Sequence, residues 1–200
     1  MELISVGKDR IPEAAATLAT AMLDEPGGRW LLPDIGEFLD VHKQLLATTM
    51  TRALHVGRVD AVGDPLVGVA VWLERPAIDD ESPGDAASAP TPPIFPEHAL
   101  GRIEECDRTL RLMREKARPD RHFYLDSMGV LPDHRRRGIA TQLLRAGLAA
   151  ADAMGLPCAL ETLDADNVIF YRRRGFEVVA EEPVAGSNLT LRSMRRPPQS

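Results

Sequence analysis

This sequence has only two cysteines, no long apolar run and no excess of basic residues. Its two cysteines, Cys106 and Cys158, lie far apart, and neither has a Cys-x-x-Cys partner or a histidine at the spacing of metal ligands. We therefore expect no metal site and a reducing, cytoplasmic environment. The longest apolar stretch near the start, residues 14–23, falls well short of the roughly 20 residues that cross a bilayer. The first residues also lack the pattern of a signal peptide, so we expect no membrane partner.

The charge balance argues against nucleic acid as a partner. The chain has 24 Lys and Arg against 30 Asp and Glu, a net charge of −6. A dedicated nucleic-acid binder usually presents a net basic face. Two short runs, Arg135–Arg137 and Arg172–Arg174, remain as local basic clusters. With 200 residues, of which 44% are hydrophobic, the chain suits one globular domain or at most two small ones.

Hydrophobic periodicity predicts an α/β fold. Apolar residues at helical spacing predict helices that start at Pro12, Phe38, Leu100, Gly138 and Val168, the second of them ending before Leu54. Residues 24–34 contain two prolines and two glycines, and we predict a loop there. Seven short apolar segments predict strands, at 3–6, 53–59, 66–73, 122–130, 157–163, 176–180 and 189–194. Because strands and helices alternate mainly in the second half, we expect a mixed sheet with some parallel pairing.

The segment from Pro76 to Pro96 differs from the rest in composition. It contains six prolines and four acidic residues but no basic residue. Such a stretch buries little apolar surface, so we predict a mobile loop, with disorder or tethering favoured over a lid. The expected organisation is a single domain over residues 1–196 with this loop inserted, followed by a tail at 197–200.

The most informative motif lies where a predicted strand turns into a predicted helix. Arg135-x-x-Gly138-x-Ala140 stands at this junction, after a strand that ends at Val130. The first N–H groups of a helix have no partner within it and carry partial positive charge, so they bind anions. Gly138 and Ala140 would let a phosphate approach the backbone closely. A nucleotide P-loop is excluded because its Gly-Lys-Ser/Thr ending is absent. The alternative is a solvated basic turn before an ordinary helix.

A second motif follows the next strand. Asn167 and Tyr171 are four residues apart, which puts them on one face of a helix. A tyrosine hydroxyl, with an ordinary pKa of about 10, can donate a proton to a leaving group of comparable basicity. The alternative is a half-buried tyrosine that serves packing alone.

Together the two motifs resemble the GNAT superfamily of acetyl-CoA-dependent N-acetyltransferases, most of all the puromycin N-acetyltransferase type. The shared features are Val130-x-Pro132-Asp133-His134, Leu160-Glu161-Thr162, Asn167-x-x-Phe170-Tyr171-x-x-x-Gly175-Phe176 and Ala70-Val71-Trp72. The resemblance implies an α/β GNAT fold, in which a mixed central sheet of about seven strands contains two splayed parallel strands and is flanked by helices. It also implies acetyl-CoA as cosubstrate and the amine of a small molecule, such as an antibiotic-like amine, as acceptor.

The resemblance further implies which residues form the site. Backbone N–H groups of residues 136–141 would bind the pyrophosphate, backbone groups of Met128 and Val130 would pair with the pantetheine arm, and Asn167 would orient it. The implied cofactor-binding residues are Met128, Gly129, Val130, Arg135, Arg136, Arg137, Gly138, Ile139, Ala140, Thr141 and Asn167.

The implied chemistry is direct transfer through a ternary complex, since neither cysteine stands in a nucleophilic setting. Tyr171 would be the general acid, and Glu161 the general base, with Asp126 as the second candidate base. Trp30, Trp72 and Asp126 are the candidate acceptor contacts, with core packing as the favoured alternative for Trp72.

Two positions depart from the family pattern. Asp164 stands where many members have asparagine, seven residues before the tyrosine, and Asp126 stands where the puromycin type has an apolar residue. These departures affect the acceptor more than the chemistry. Acetylation of a protein or peptide amine, and a non-catalytic coenzyme A-binding module, are the alternatives.

Overall fold

The computed structural model describes residues 1–76, 95–117 and 120–199. They form one seven-stranded sheet in the order β1-β2-β3-β4-β5-β7-β6. The strands are β1 Leu3–Ser5, β2 Gly57–Val62, β3 Gly68–Arg75, β4 His122–Val130, β5 Cys158–Thr162, β6 Glu177–Pro183 and β7 Thr190–Arg196. The helices are α1 Ile11–Ala21, α2 Pro26–Leu31, α3 Ile35–Val56, α4 Leu100–Ala117, α5 Ile139–Ala153 and α6 Ala165–Arg172. The predicted mixed α/β sheet is confirmed.

Pairing between the two central strands stops early. All other neighbouring strands are antiparallel, but β4 and β5 are parallel and pair only at Phe123 with Cys158 and at Tyr124 with Ala159. Beyond these pairs the strands diverge towards their carboxyl ends. We call the gap between residues 125–130 of β4 and 160–162 of β5 the wedge. The splayed parallel strands that the resemblance implied are thus confirmed.

Helices cover both faces of the sheet. One core cluster joins α5 to Trp72, Phe123 and Leu160, and a second joins α1 and α3 to β2 and β3. Burial of apolar side chains on both faces supplies the main driving force for this fold. On the α5 face the packing is tight, because a Cβ added at Gly147 would lie 2.1 Å from the Trp72 ring. The two layers hold the wedge open at the middle of the sheet.

Several predicted boundaries are wrong. The predicted loop at 24–34 contains α2, which Pro26 begins at a position where a missing N–H costs nothing. The strand predicted at 53–59 starts only at Gly57, because α3 continues to Val56. Ala53 extends the buried stripe of α3 that already holds Leu46 and Met50, and this packing outweighs strand propensity.

The structure describes only the two ends of the proline-rich segment, and it describes the end of the chain as far as Gln199. The predicted mobile loop lies, except for Pro76, Phe95 and Pro96, outside the described residues. In the segment predicted as a tail, the Gln199 N–H donates to Asp152 Oδ1 at 2.8 Å. Of the helices in the described ranges, none combines the length and the apolarity that a bilayer crossing demands.

Candidate active site

A cavity of about 280 Å³ occupies the mouth of the wedge. Its walls come from the end of α1, from β4, from the turn before α5 and from α6. Of the residues singled out from sequence, it brings together Met128, Gly129, Val130, Arg135, Ala140, Asn167 and Tyr171. The segment after α1 adds Asp24 and Glu25, which sequence reasoning did not single out.

The turn before α5 leaves a run of backbone donors without partners. Gly138 is the N-cap residue at φ 81°, and the first helical bond runs from Gln142 N–H to the Gly138 carbonyl at 3.0 Å. Within the described residues, the N–H groups of residues 136–141 donate to no acceptor. We call these N–H groups the amide run. A Cβ at Gly138 would meet nothing within 4 Å, so the space beside the run is open. These features fit a bound pyrophosphate.

Arg135 has a different environment from the arginines that follow it. Its Nε donates to the Val130 carbonyl at 3.1 Å and its Nη2 to the Ala21 carbonyl at 2.9 Å, while Nη1 lies 3.6 Å from Asp24 Oδ2. The side chain therefore ties the end of β4 to the end of α1. It also donates one hydrogen bond to the Val130 carbonyl, at the end of β4 that borders the cavity.

The other predicted members of the turn contribute through different groups. Arg136 and Arg137 are exposed, and Arg136 adopts a left-handed conformation at φ 60°. Ile139 is buried at 4% exposure, so only its backbone can reach a ligand. The Thr141 hydroxyl accepts a hydrogen bond from Arg174 Nη2 at 2.6 Å.

Tyr171 lies in the cavity wall with 8% of its surface exposed. The rings of Phe170 and Phe176 meet it edge to face at 5.2 and 5.6 Å between centroids and fix its orientation. No described residue hydrogen-bonds its hydroxyl. Burial, and then the charge of Glu25, raises the pKa of Tyr171 well above its usual value. The hydroxyl stays protonated at neutral pH and has a proton to donate.

Glu25 lies in the cavity wall beside Asn167 and acts electrostatically on Tyr171. Its Oε1 lies 3.5 Å from Asn167 Nδ2, and burial, followed by the charge of Asp164, raises the pKa of Glu25. A carboxyl with a raised pKa is a stronger base once ionised. The residue was missed because nothing in the segment Asp24-Glu25-Pro26 marks a site; only the fold brings it to α6.

The two predicted bases lie on the central strands, Glu161 on β5 and Asp126 on β4. Glu161 accepts from Ser193 Oγ at 3.4 Å, and burial raises its pKa against the lowering effect of a hydrogen bond with Tyr124. Asp126 accepts from Ser127 Oγ at 2.9 Å, and burial raises its pKa as well. The guanidinium of Arg75 stacks on the Tyr124 ring at 3.7 Å. Neither carboxyl lines the 280 Å³ cavity.

Asp126 occupies an irregular position in β4. Val71 pairs with Ser127 and Trp72 pairs with Leu125, so Asp126 is the extra residue of a β-bulge. A bulge re-aims the side chains around it and is frequent beside active sites. The apolar alternation of β4 did not indicate this bulge.

The two tryptophans do not reach the cavity. Trp72 is fully buried, stacks on Phe123 at 5.2 Å and packs against Gly147, so we assign it to the core rather than to an acceptor site. Trp30 is half-buried on α2, and its Nε1 donates to the Gly186 carbonyl at 3.4 Å beside the β6–β7 turn.

Comparison with known proteins agrees with this geometry. Residues 101–178, which include β4, the amide run, β5 and α6, match the family model described as "Acetyltransferase (GNAT) domain". Over these residues the chain is similar to a GNAT acetyltransferase domain.

Solved structures of several acetyltransferases share the fold over nearly the whole chain. Arylalkylamine N-acetyltransferase 2 from Aedes aegypti has a TM-score of 0.71 at 13% identity, covering 99% of both chains. Drosophila melanogaster polyamine N-acetyltransferase, which forms N-acetylagmatine, has a TM-score of 0.67 at 10% identity, covering 98% of this chain and 100% of the other. A Corynebacterium glutamicum protein described as histone acetyltransferase HPA2 and related acetyltransferase has a TM-score of 0.65 at 18% identity, with 99% and 96% covered.

Proposed function

We propose that this chain is a GNAT acetyltransferase that transfers the acetyl group of acetyl-CoA to the amine of a small molecule, in a direct step within a ternary complex. The observation that carries the proposal is the cavity at the mouth of the wedge, which is lined both by Ala140 of the amide run and by Tyr171. The neighbouring structures include enzymes named for arylalkylamines and for a polyamine, which supports a small amine. The resemblance to the puromycin type supports an antibiotic-like amine.

Three groups of this chain would hold acetyl-CoA. The amide run would bind its pyrophosphate, the unpaired backbone of β4 around Met128 would border its pantetheine arm, and Asn167 would contact that arm from α6. When bound, the cosubstrate supplies an activated thioester. Exposed Arg136 and Arg137 add positive charge beside the amide run.

Tyr171 would provide the proton for the departing sulfur. Its raised pKa keeps the hydroxyl protonated, and its ring is held in place by two neighbouring aromatic residues. A positioned general acid contributes typically about 10²–10⁴-fold to a rate.

A base matters because the acceptor amine must lose a proton. An amine with a pKa near 10.4 costs about 4.6 kcal/mol to deprotonate at pH 7, whereas one near 7.7 costs only about 1 kcal/mol. We propose Glu161 as this base, acting directly or through water, with Asp126 second. Glu25 is a further candidate, since it alone of the three lines the cavity with Tyr171.

The cavity chemistry favours a cationic acceptor. Three carboxyls, those of Asp24, Glu25 and Asp164, lie in its wall, and they would attract an ammonium group. Acidic walls of this kind are less suited to an anionic acceptor.

An amine panel tests the proposal. Purified protein is incubated with acetyl-CoA and, in turn, a puromycin-like aminonucleoside, an arylalkylamine, a polyamine and a peptide with a free N-terminus. Mass spectrometry then looks for the added acetyl group. We expect the wild-type protein to acetylate at least one small amine. The Tyr171→Phe variant should acetylate the same amine much more slowly. Acetylation of the peptide alone would contradict the small-molecule assignment.

A further inference from the structure

A group of polar side chains lies on the face of the sheet opposite α5, where the β4–β5 ladder ends. Tyr124 forms the last ladder pair with Ala159, and Glu161 follows two residues further along β5. Because side chains alternate between the two faces of a strand, these three residues share one face. Ser193 of β7 pairs with Glu161, and its hydroxyl lies 3.4 Å from Glu161 Oε1. Glu161 therefore has a hydroxyl-bearing residue on the strand at each side.

The ring of Tyr124 is fixed by its neighbours. The Arg75 guanidinium carbon lies 3.7 Å from the ring centre, and the His122 ring meets its edge at 6.1 Å between centroids. Arg75 is held in turn by an ion pair with Asp126 at 3.8 Å. With the ring fixed in this way, the Tyr124 hydroxyl acts on Glu161 as a hydrogen-bond donor. We call Arg75, Tyr124, Asp126, Glu161 and Ser193 the polar cluster.

The surroundings of Glu161 act on its carboxyl in opposite directions. Burial raises its pKa and favours the protonated form, which cannot take a proton from an amine. The Tyr124 hydroxyl, and then the positive charge of Arg75, lower this pKa and favour the ionised form. Burial also raises the pKa of Tyr124 well above its usual value, so its hydroxyl keeps a proton to donate. The remaining groups that act on the polar cluster are Ser193 of β7, Asp126 of β4 and, through Asp126, Arg52 of α3.

We propose that Tyr124 is a positioning residue, whose hydroxyl holds the Glu161 carboxylate ionised and oriented towards the acceptor amine. Arg75 supports it by holding the Tyr124 ring. The inference rests on the proposed function, in which Glu161 takes the proton of the acceptor ammonium while Tyr124 keeps its own. Sequence analysis marked neither Tyr124 nor Arg75, because only the register of β3, β4 and β5 brings them to Glu161.

An NMR titration of the free protein tests the proposal without turnover. Glutamate labelled with ¹³C at the side-chain carboxyl reports each titration, and the signal missing from Glu161→Gln identifies Glu161. Tyr124→Phe keeps the ring beside Arg75 and removes one donor, so the midpoint of the Glu161 titration should rise by roughly one pH unit. An unchanged or lowered midpoint would overturn the proposal.

The other tyrosine provides the matched control. The chain has two tyrosines, and Tyr171 does not act on the Glu161 carboxyl. Tyr171→Phe should therefore leave the Glu161 midpoint where it is in the wild type. If both variants raise the midpoint equally, the effect is not specific to Tyr124 and the proposal fails.

A second measurement keeps Tyr124 in place. The Tyr171→Phe variant, produced with 3-fluorotyrosine, carries fluorine only at position 124. Its ¹⁹F signal should follow the ionisation of Glu161, and that step should vanish when Glu161→Gln is added. A step that persists unchanged would show that the Tyr124 ring responds to another group, which would contradict the contact with Glu161.

Kinetics separate this inference from the proposed function. In Tyr124→Phe the acidic limb of kcat/KM should move to higher pH by as much as the NMR midpoint moves. In the Glu161→Gln background the same change should alter kcat/KM by less than about twofold, since no carboxylate is left to hold. An unmoved midpoint overturns the role of Tyr124 alone and leaves the acetyl transfer standing. A moved midpoint with an unmoved limb would contradict Glu161 as the base, and the positioning role with it.

Discussion

On the β4 side of the wedge, the groups offered to a ligand are mostly backbone N–H donors, whereas on the β5 side they are side chains. The amide run depends on the left-handed conformations of Arg136 and Gly138 and on no particular side chain. Across the wedge, Asn167 and Tyr171 act through an amide and a hydroxyl. The two sides should therefore respond to mutation differently: the first to changes of backbone conformation or charge, the second to deletion of single atoms.

Removing one oxygen on the β5 side should have the largest effect. Tyr171→Phe keeps the ring and its packing against Phe170 and Phe176, so acetyl-CoA affinity and melting temperature should stay close to wild type. If Tyr171 protonates the leaving sulfur, kcat should fall by about 10²–10⁴-fold. Steady-state kinetics with the best amine measure this. An unchanged kcat would refute the role of Tyr171 as general acid.

On the β4 side, adding a negative charge beside the amide run should weaken acetyl-CoA binding more than removing a side chain would. Gly138→Asp puts a carboxylate beside the amide run and strains a residue at φ 81°. Like charges in contact cost several kcal/mol, so acetyl-CoA affinity should fall by roughly 100-fold or more. Gly186→Asp is the matched control, because Gly186 also has positive φ, at 72°, and open space for a Cβ but lies on the β6–β7 turn. If calorimetry finds equal losses of acetyl-CoA affinity in both variants, the amide run is not the pyrophosphate-binding site.

The pH profile should single out the base on the β5 side. Because burial raises the pKa of Glu161, the acidic limb of kcat/KM should lie at higher pH than for a free carboxyl. Glu161→Gln should remove this limb and lower kcat/KM by about 10²-fold or more. A limb that persists in Glu161→Gln and disappears in Glu25→Gln would transfer the role of base to Glu25.

Thermal unfolding of the same variant gives an independent reading. The folded chain binds the Glu161 proton more tightly than the unfolded chain, so this group lowers stability as pH rises from the unfolded pKa to the folded one. Glutamine carries no such penalty. The melting temperature of Glu161→Gln at neutral pH should therefore equal or exceed that of wild type, and a clear fall would show that the carboxylate is structural.

The smallest effect is expected from a change that preserves the backbone of the amide run. Arg136→Gly places glycine where the chain already adopts φ 60°, so the free energy of unfolding should rise by up to about 1 kcal/mol. Acetyl-CoA affinity should fall only slightly, by the loss of one exposed charge. A large loss of affinity would show that the Arg136 side chain, rather than its backbone, binds the phosphate.

The same difference between the two sides explains what sequence could predict. The amide run lies in one continuous stretch after β4, and the Asn167–Tyr171 pair lies on one short helix, so local spacing and the family resemblance were enough to propose both. The sheet was predictable for the same reason, since its strands are short and apolar. A motif that lies within one continuous segment can be recognised without knowing which segments meet in the folded chain.

What sequence could not predict comes from long-range packing. Glu25 faces Asn167 only because α1 lies against β4, and the Arg135 guanidinium, although in the cavity wall, binds the carbonyls of Val130 and Ala21. Trp72 looked like a substrate contact, but Gly147 of α5 provides the space that buries it. The bulge at Asp126 depends on the register with β3, which no local pattern of β4 encodes.

The early end of the β4–β5 ladder also has a mechanical consequence. Among the described residues, only two ladder pairs join β4 to β5, so the hydrogen bonding of the sheet is weakest along this line. An extended ligand bound between β4 and β5 would contact both halves of the sheet. Its binding free energy would therefore add to the free energy needed to separate them. Under load, or during partial unfolding, the protein should part at this line first, and saturation with coenzyme A should make its two halves unfold as one.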